Sequence, residues 1–335
     1  MTQAVPGAGP RDDRAPSAVS EVMDRAEAWL PQGLRAVEER LRDAASGYGA
    51  VLEAEAGATL EAGGKRLRPT LVLVCAGPSA GEAAIRAATA VELMHMATLV
   101  HDDVVDAAPL RRGRPTVVAR SGRAAAVATG DLLFSQALAG LAEGGRREEV
   151  DALTGASVAL ALGELTQRAD AWRSDVTVER YERRCQLKTG ALFASATRLG
   201  ALAAGGAGAD EVAAFGSDIG VAFQLLDDVL DVIGPPERTG KAIGTDLLDG
   251  TATLPLILAA RQDPELAALD MRTLDQRAAE AVCRRIAATG ALEETRARAM
   301  ALVASAKDQL EEAGLPAERR ELLELVADGT VERYS

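Results

Sequence analysis

The chain has 335 residues, with 37 Lys+Arg against 50 Asp+Glu, which leaves a formal charge of −13 and a pI near 4.8. That balance excludes a protein that holds nucleic acid through net positive charge. Hydrophobic residues make up 48% of the chain but aromatics only 3%, a diet of helix formers that argues for an all-α fold over a β-sandwich.

Residues 1–18 carry Pro, Gly and mixed charge and no apolar block of the kind a secretory leader needs, so a disordered tail is expected there. From residue 19 to 335 the spacing predicts one large helical bundle. Apolar positions recur three and four apart, as in Val22, Ala26, Trp29 and Leu30, then Leu34, Val37 and Leu41. Breaks rich in Gly, Pro or polar residues fall at Gly63-Gly64, Gly77-Pro78, Arg112 to Pro115, Gly144-Gly145, Ala203 to Ala209 and Ile233 to Gly244. No alternating strand pattern and no solenoid repeat is visible. The longest continuous apolar runs fall short of the roughly 18 residues a bilayer span needs, so no stable membrane insertion is expected. Cys75, Cys185 and Cys283 are widely spaced and odd in number, which fits a reduced cytoplasm better than a disulfide framework or a zinc site.

Two segments stand apart, LVHDDVVDAAPLRRGRPT (99–116) and FQLLDDVLDVIG (223–234). Each holds D-D-x-x-D. At about 100° per residue, Asp102 and Asp106 lie within about 40° of each other on a helix, with Asp103 to one side; Asp227, Asp228 and Asp231 repeat the arrangement. The intervening positions are apolar, so these helices are buried while carrying clustered carboxylates, a costly state without compensation. A lone copy in an acidic protein reads as a solvated face. Two copies facing each other across a bundle would instead make a cation site at the mouth of a central cavity, and oxygen-only ligands point to Mg²⁺ completed by water and phosphate oxygens.

Basic residues stand near this site. Lys65, Arg66 and Arg68 sit in GGKRLRP (63–69), and Arg111 and Arg112 follow the first pentad; guanidinium forks and a lysine suit diphosphate oxygens. The only two histidines, His95 and His101, precede Asp102 closely. His95 shares a face with Asp102 about two turns away, where a phosphate-donor role is expected. Glu92-x-x-His95 also has the spacing of a di-iron bundle, but that site needs a second such pair, and no histidine exists elsewhere.

With these motifs in place, the chain resembles the trans-type polyprenyl diphosphate synthases. The segments that carry the resemblance are GGKRLRP (63–69), ELMHMATLVHDDVVD (92–106), RRGRPT (111–116), GD (130–131), GELTQ (163–167), KTGALF (188–193), FQLLDDVLD (223–231) and GKAIGTDLLDGTATLP (240–255). The resemblance implies that Asp102, Asp106 and Asp227 ligate Mg²⁺ bridging an allylic diphosphate, with Asp103, Asp228 and Asp231 ligating or holding waters. It implies isopentenyl diphosphate at Lys65, Arg68, His95 and Arg112. It places the allylic diphosphate at Arg111, Lys188 and Lys241, with Gln224 and Thr189 near the reacting carbons. A homodimer is expected on the same ground, and transient membrane contact at product release is left open.

Two departures from the family pattern concern the last motif. Thr251 stands where a phosphate-binding lysine is frequent, and Ala242 where a proline is. Small residues Ala97 and Thr98, ahead of Asp102, leave the tail's path open where short-chain members place aromatics, so a long-chain product is expected, of the kind used for quinone side chains. Val158, Leu162 or Phe134 on other helices are the alternative floor. The competing readings are a short-chain (farnesyl or geranylgeranyl) diphosphate synthase, a non-catalytic subunit of a two-component synthase, and a terpene cyclase; the last is disfavoured by GGKRLRP and the doubled pentad.

Overall fold

The structure, a computed structural model, describes residues 17–61, 64, 66–111, 113–234 and 242–332. Of the expected tail, Ser17 and Ala18 already belong to a helix start: the Ser17 hydroxyl accepts a hydrogen bond from the Ser20 backbone N–H, opening α1 (Ala18–Arg25). Then follow α2 (Leu30–Ala44), α3 (Ala50–Glu61) and α4 (Leu67–Ala76). α2 is amphipathic as its spacing predicts, turning Leu30, Val37 and Leu41 into the core.

The long helices come next. α5 (Gly81–Val105) is apolar on most sides and is buried on most sides, from Ala84 to Val104, because a helix without a polar face has no stable place at the surface. α6 (Val117–Glu143) packs along it, its first turn capped by Thr116, whose hydroxyl accepts from the Ala119 N–H at 3.2 Å. Beyond α7 (Arg147–Asp170) and α8 (Val178–Cys185) the chain makes one π-helical turn, Gln186–Gly190, which runs directly into α9 (Ala191–Ala203). α9 touches α4, α5, α7 and α10 (Ala209–Ile233) and is the hub of the bundle. α10 packs along α9 on one side and, on another, along a long C-terminal helix, Ala291–Glu312. The two pentad helices α5 and α10 are therefore joined through α9 and flank the space between them.

Two features differ from the sequence reading. Leu110–Arg111 and Arg114–Pro115 pair as a two-stranded antiparallel ladder inside the expected break after the first pentad. Two residues per strand are too few to show any alternation. Second, α5 and α6 reach mean hydropathies of 1.2 and 1.3 over a span-length window, although no continuous apolar run is that long. In α5 the apolar face is occupied by the core, and the same helix carries Glu92, His95, Asp102 and Asp103. The three cysteines are unpaired and buried.

Candidate active site

A cavity of about 380 Å³ lies between α5, α7, α8, the π turn, α10 and the loop ending at Thr253. Asp102 and Asp106 reach it from α5, and Asp227 and Asp228 from α10. Arg68, His95, Arg111, Lys188, Thr189 and Gln224 line it as well. Its apolar lining comprises Leu99, Leu160 and Leu192 among others, and Thr98 lines it too. A second cavity of about 210 Å³ adjoins it and shares His95, Leu99 and Arg111; Asp103, Glu92, Arg66 and Arg114 line that chamber. Lys65, Arg112 and Lys241 lie outside the described residues.

The π turn positions two of these groups. Its extra residue per turn lets Lys188 and Thr189 both face the cavity, and α7 comes against it at Gly163, where a Cβ would lie 2.6 Å from the Lys188 side chain and 3.0 Å from its backbone nitrogen. Only a residue without a side chain fits there. Lys188 donates to Glu164 at 2.5 Å and to Gln167 at 3.0 Å.

The six pentad carboxylates are held very differently. Asp103 accepts from the Arg111 Nε at 2.8 Å, and Asp106 pairs with Arg168. Asp228 is almost fully buried. It accepts from the Tyr181 hydroxyl at 2.5 Å and from the Gln224 amide at 2.8 Å, while Gln224 in turn accepts from the Thr189 hydroxyl at 3.0 Å. Asp231, also buried, accepts from the Asp246 N–H at 3.1 Å and so ties α10 to the turn that follows Gly244. Asp102 and Asp227 line the cavity without a hydrogen bond or ion pair to any described residue. Burial pushes the Asp102 carboxyl up to about 6, with Lys188 opposing the shift and Glu164 and Asp106 reinforcing it. Burial likewise pushes Asp228 up to about 6, against the hydrogen bonds from Tyr181 and Gln224. In Glu164 burial is outweighed by Lys188 and Arg168, which hold its carboxyl below the usual range.

Among the described residues no three His, Cys, Asp or Glu groups come together as a closed metal cage. Two carboxylates without partners among the described residues, lining one cavity, fit a hard cation that takes its remaining ligands from water and phosphate. The cationic side fits a diphosphate. Arg68 is stacked over the Phe193 ring, 4.7 Å from its centroid, and its Nε is buried without an acceptor. Burial lowers Arg68 to about 10, against the attraction of Glu92, so the guanidinium stays charged at neutral pH.

Other expectations are placed as follows. His95 borders both chambers, whereas the His101 ring packs over Gly130, 3.3 Å from Asp131, outside both. Thr98 lines the larger cavity; Ala97 is completely buried among core side chains and does not. Val158 and Leu162 are 55% and 51% exposed on the outer face of α7, so within one chain neither closes a tunnel. Thr251 does line the cavity, where the expected lysine would have stood.

Several cavity residues were given no role from the sequence: Glu164's partner Arg168, Gln167, Tyr181, Arg184, Asp246 and Asp249. GELTQ and GTDLLDG drew notice as motifs, but nothing in their spacing assigns a direction to these side chains. Arg184 is buried under the Tyr181 ring and donates to the Ala252 carbonyl at 2.7 Å. Trp172, with φ of 67°, donates its N–H to the Gly250 carbonyl at 2.7 Å and lies where any Cβ at position 250 would fall.

Residues 50–312 match the family model described as Polyprenyl synthetase. Heptaprenyl diphosphate synthase component 2 of Geobacillus stearothermophilus is 43% identical over 246 residues, 72% of this chain and 77% of that protein. A short chain isoprenyl diphosphate synthase of Methanothermobacter thermautotrophicus is 35% identical over 288 residues, 82% of this chain and 88% of that one. A solved polyprenyl synthase of Caulobacter crescentus, complexed with calcium and isoprenyl diphosphate, matches with a TM-score of 0.86 and 35% identity, over 96% of this chain and 100% of that one.

Proposed function

The chain belongs to the polyprenyl synthetase family, and on that premise we propose that it condenses an allylic prenyl diphosphate with isopentenyl diphosphate to build a long-chain all-trans polyprenyl diphosphate. The observation that carries this reading is the pair Asp102 and Asp227, unengaged by any described residue, lining one cavity with the cations Lys188, Arg111 and Arg68 and the apolar Leu99, Leu160 and Leu192.

Asp102, Asp106 and Asp227 would hold Mg²⁺, which when bound would neutralise charge on the departing diphosphate. Lys188 and Arg111 add positive charge at the same rim, where low solvent access strengthens it. Arg68 and His95, with Lys65 and Arg112, are proposed to hold isopentenyl diphosphate, the smaller chamber adjoining at His95. Thr189 and Gln224, locked to one another and to Asp228, orient the reacting carbons. Leu99, Leu160 and Leu192 exclude water from the allylic cation left by ionisation. Its attack on the isopentenyl double bond forms the new carbon–carbon bond, and loss of one proton, to the released diphosphate, restores the alkene. No side-chain nucleophile is used.

Product length follows from Thr98, which leaves the cavity open beside the α5 wall. Each helical turn of about 5.4 Å admits roughly one isoprene unit, and a product of about six to ten units is expected. The test is the purified chain with Mg²⁺, farnesyl diphosphate and isopentenyl diphosphate, the products read by mass spectrometry. Termination at four units or fewer selects the short-chain reading. Elongation only after adding a second protein selects the two-component arrangement, which the name component 2 of one relative brings into view.

The outer face of α7 supports self-association. Val158, Leu162 and Leu165 lie on one helical stripe, and Leu165 is 66% exposed. We assign this stripe to a homodimer interface; Leu162→Glu with Leu165→Glu is expected to shift sedimentation from dimer to monomer. Buried, unpaired thiols favour the cytoplasm, and release of an insoluble tail favours passing contact with a membrane surface.

A further inference from the structure

Four charged side chains form a linear relay of ion pairs at the larger cavity, three of them, Asp106, Arg168 and Lys188, lining it. Arg168 pairs with Asp106 and donates from Nε to Glu164 at 2.9 Å; Glu164 accepts from Lys188 at 2.5 Å. Arg168 and Glu164 are one turn apart on α7, so their bond to each other does not depend on either outer partner. Asp106 and Lys188, in contrast, come from α5's end and the π turn, and each is wanted by a different part of a metal–diphosphate complex. We propose that Glu164 and Arg168 are positioning residues that stand in for that complex: Arg168 occupies Asp106 in place of a cation, and Glu164 occupies Lys188 in place of a phosphate.

On binding, the cation takes Asp106 and the diphosphate takes Lys188. The two displaced groups keep the bond they already make to each other, so neither is left unpaired. The link to Asp106 is the readier to exchange, since the Arg168 and Asp106 side chains are 41% and 42% exposed, a setting in which an ion pair holds weakly, whereas Lys188 and Glu164 are 24% and 22% exposed. Before binding, Glu164 holds Lys188 at the cavity, and Arg168 offsets part of the Asp106 charge that bears on Asp102. A different role for Arg168, as a direct ligand of the diphosphate, makes the opposite prediction, because its loss would then weaken binding.

This inference rests on the diphosphate reading above, and one titration separates the two. Inorganic pyrophosphate with Mg²⁺ is titrated calorimetrically into the full chain and into the single variants Glu164→Gln and Arg168→Gln. Glu164→Gln removes the competing anion, and pyrophosphate is expected to bind about three- to ten-fold more tightly. Arg168→Gln frees Asp106, and the Mg²⁺ concentration giving half-maximal pyrophosphate binding is expected to fall about two- to five-fold. Binding equal to or weaker than wild type in either variant overturns the relay while leaving the diphosphate site standing. Failure of the wild-type chain to bind pyrophosphate overturns both. Thermal melts accompany each variant, and if Glu164→Gln unfolds, the Mg²⁺ dependence of Arg168→Gln decides alone.

Discussion

The two aspartate pentads have the same spelling and opposite surroundings. On α5, Asp103 and Asp106 are met by arginines from other elements, and Asp106 stands at an open rim. On α10, Asp228 and Asp231 are buried; Asp228 accepts from a tyrosine hydroxyl and a glutamine amide, and Asp231 from a backbone N–H. Ion pairs at a rim exchange partners easily, whereas hydrogen bonds to buried carboxylates are expensive to disturb. The first pentad is thus built to change partners and the second to hold a frame, and each contributes to the shared cavity one carboxylate, Asp102 or Asp227, that no described residue engages.

The largest expected effect tests what the pentads share. Asp102→Asn and Asp227→Asn should each lower kcat for prenyl transfer by about three orders of magnitude, because each removes a charge with no substitute at the rim. Steady-state kinetics at saturating Mg²⁺ measures this, and a loss of less than ten-fold in either would break the symmetry assigned to the pair.

Stability should separate what the pentads do not share. Tyr181→Phe leaves a buried Asp228 oxygen without its donor and should cost about 1–3 kcal/mol. Arg168→Gln, at the exposed rim, should cost less than about 1 kcal/mol. Urea denaturation of the two variants gives both values, and a reversed order would mean that the first pentad carries the frame.

A smaller effect lies in pH. Folding raises Asp102 and Asp228 from 3.8 to about 6, so the folded chain holds protons there that the unfolded chain has released. Their stabilising contribution is fully present below about pH 4 and is lost as pH rises through about 6. In chelator, the melting temperature should therefore fall between about pH 4 and 6 for reasons that include Asp102. Asp102→Asn should flatten that fall by roughly 1–3 °C. An unchanged slope would mean that the carboxylate is better solvated than its position indicates.

The smallest effect concerns the cavity wall. Thr251→Lys places a cation beside the Lys188 rim and should lower KM for the allylic diphosphate about three-fold, roughly the worth of one partly screened charge pair. Thr98→Phe, one position from buried Ala97, should shorten the product with little loss of stability. Ala97→Phe should instead destabilise the chain by about 1–3 kcal/mol, since it overfills a packed contact. Product masses and melts of the two variants, side by side, tell the cavity wall from the core.

Helical periodicity, the breaks and the doubled DDxxD are local patterns, written every three or four residues, and they made the all-α class, the main segment boundaries and the acidic site readable from the chain alone. The family followed from the order of the motifs. What spacing left open was decided by neighbours distant in sequence. Ala97 and Thr98 look alike as small residues, and packing by other helices buries one and leaves the other at the cavity. Asp102 and Asp228 carry the same side chain, and the donors that meet Asp228, Tyr181 from α8 and Gln224, separate them. A pentad fixes which way its carboxylates leave the helix; the partner each one meets is set by the elements folded against it, because hydrogen bonds and burial depend on distances that no single helix contains.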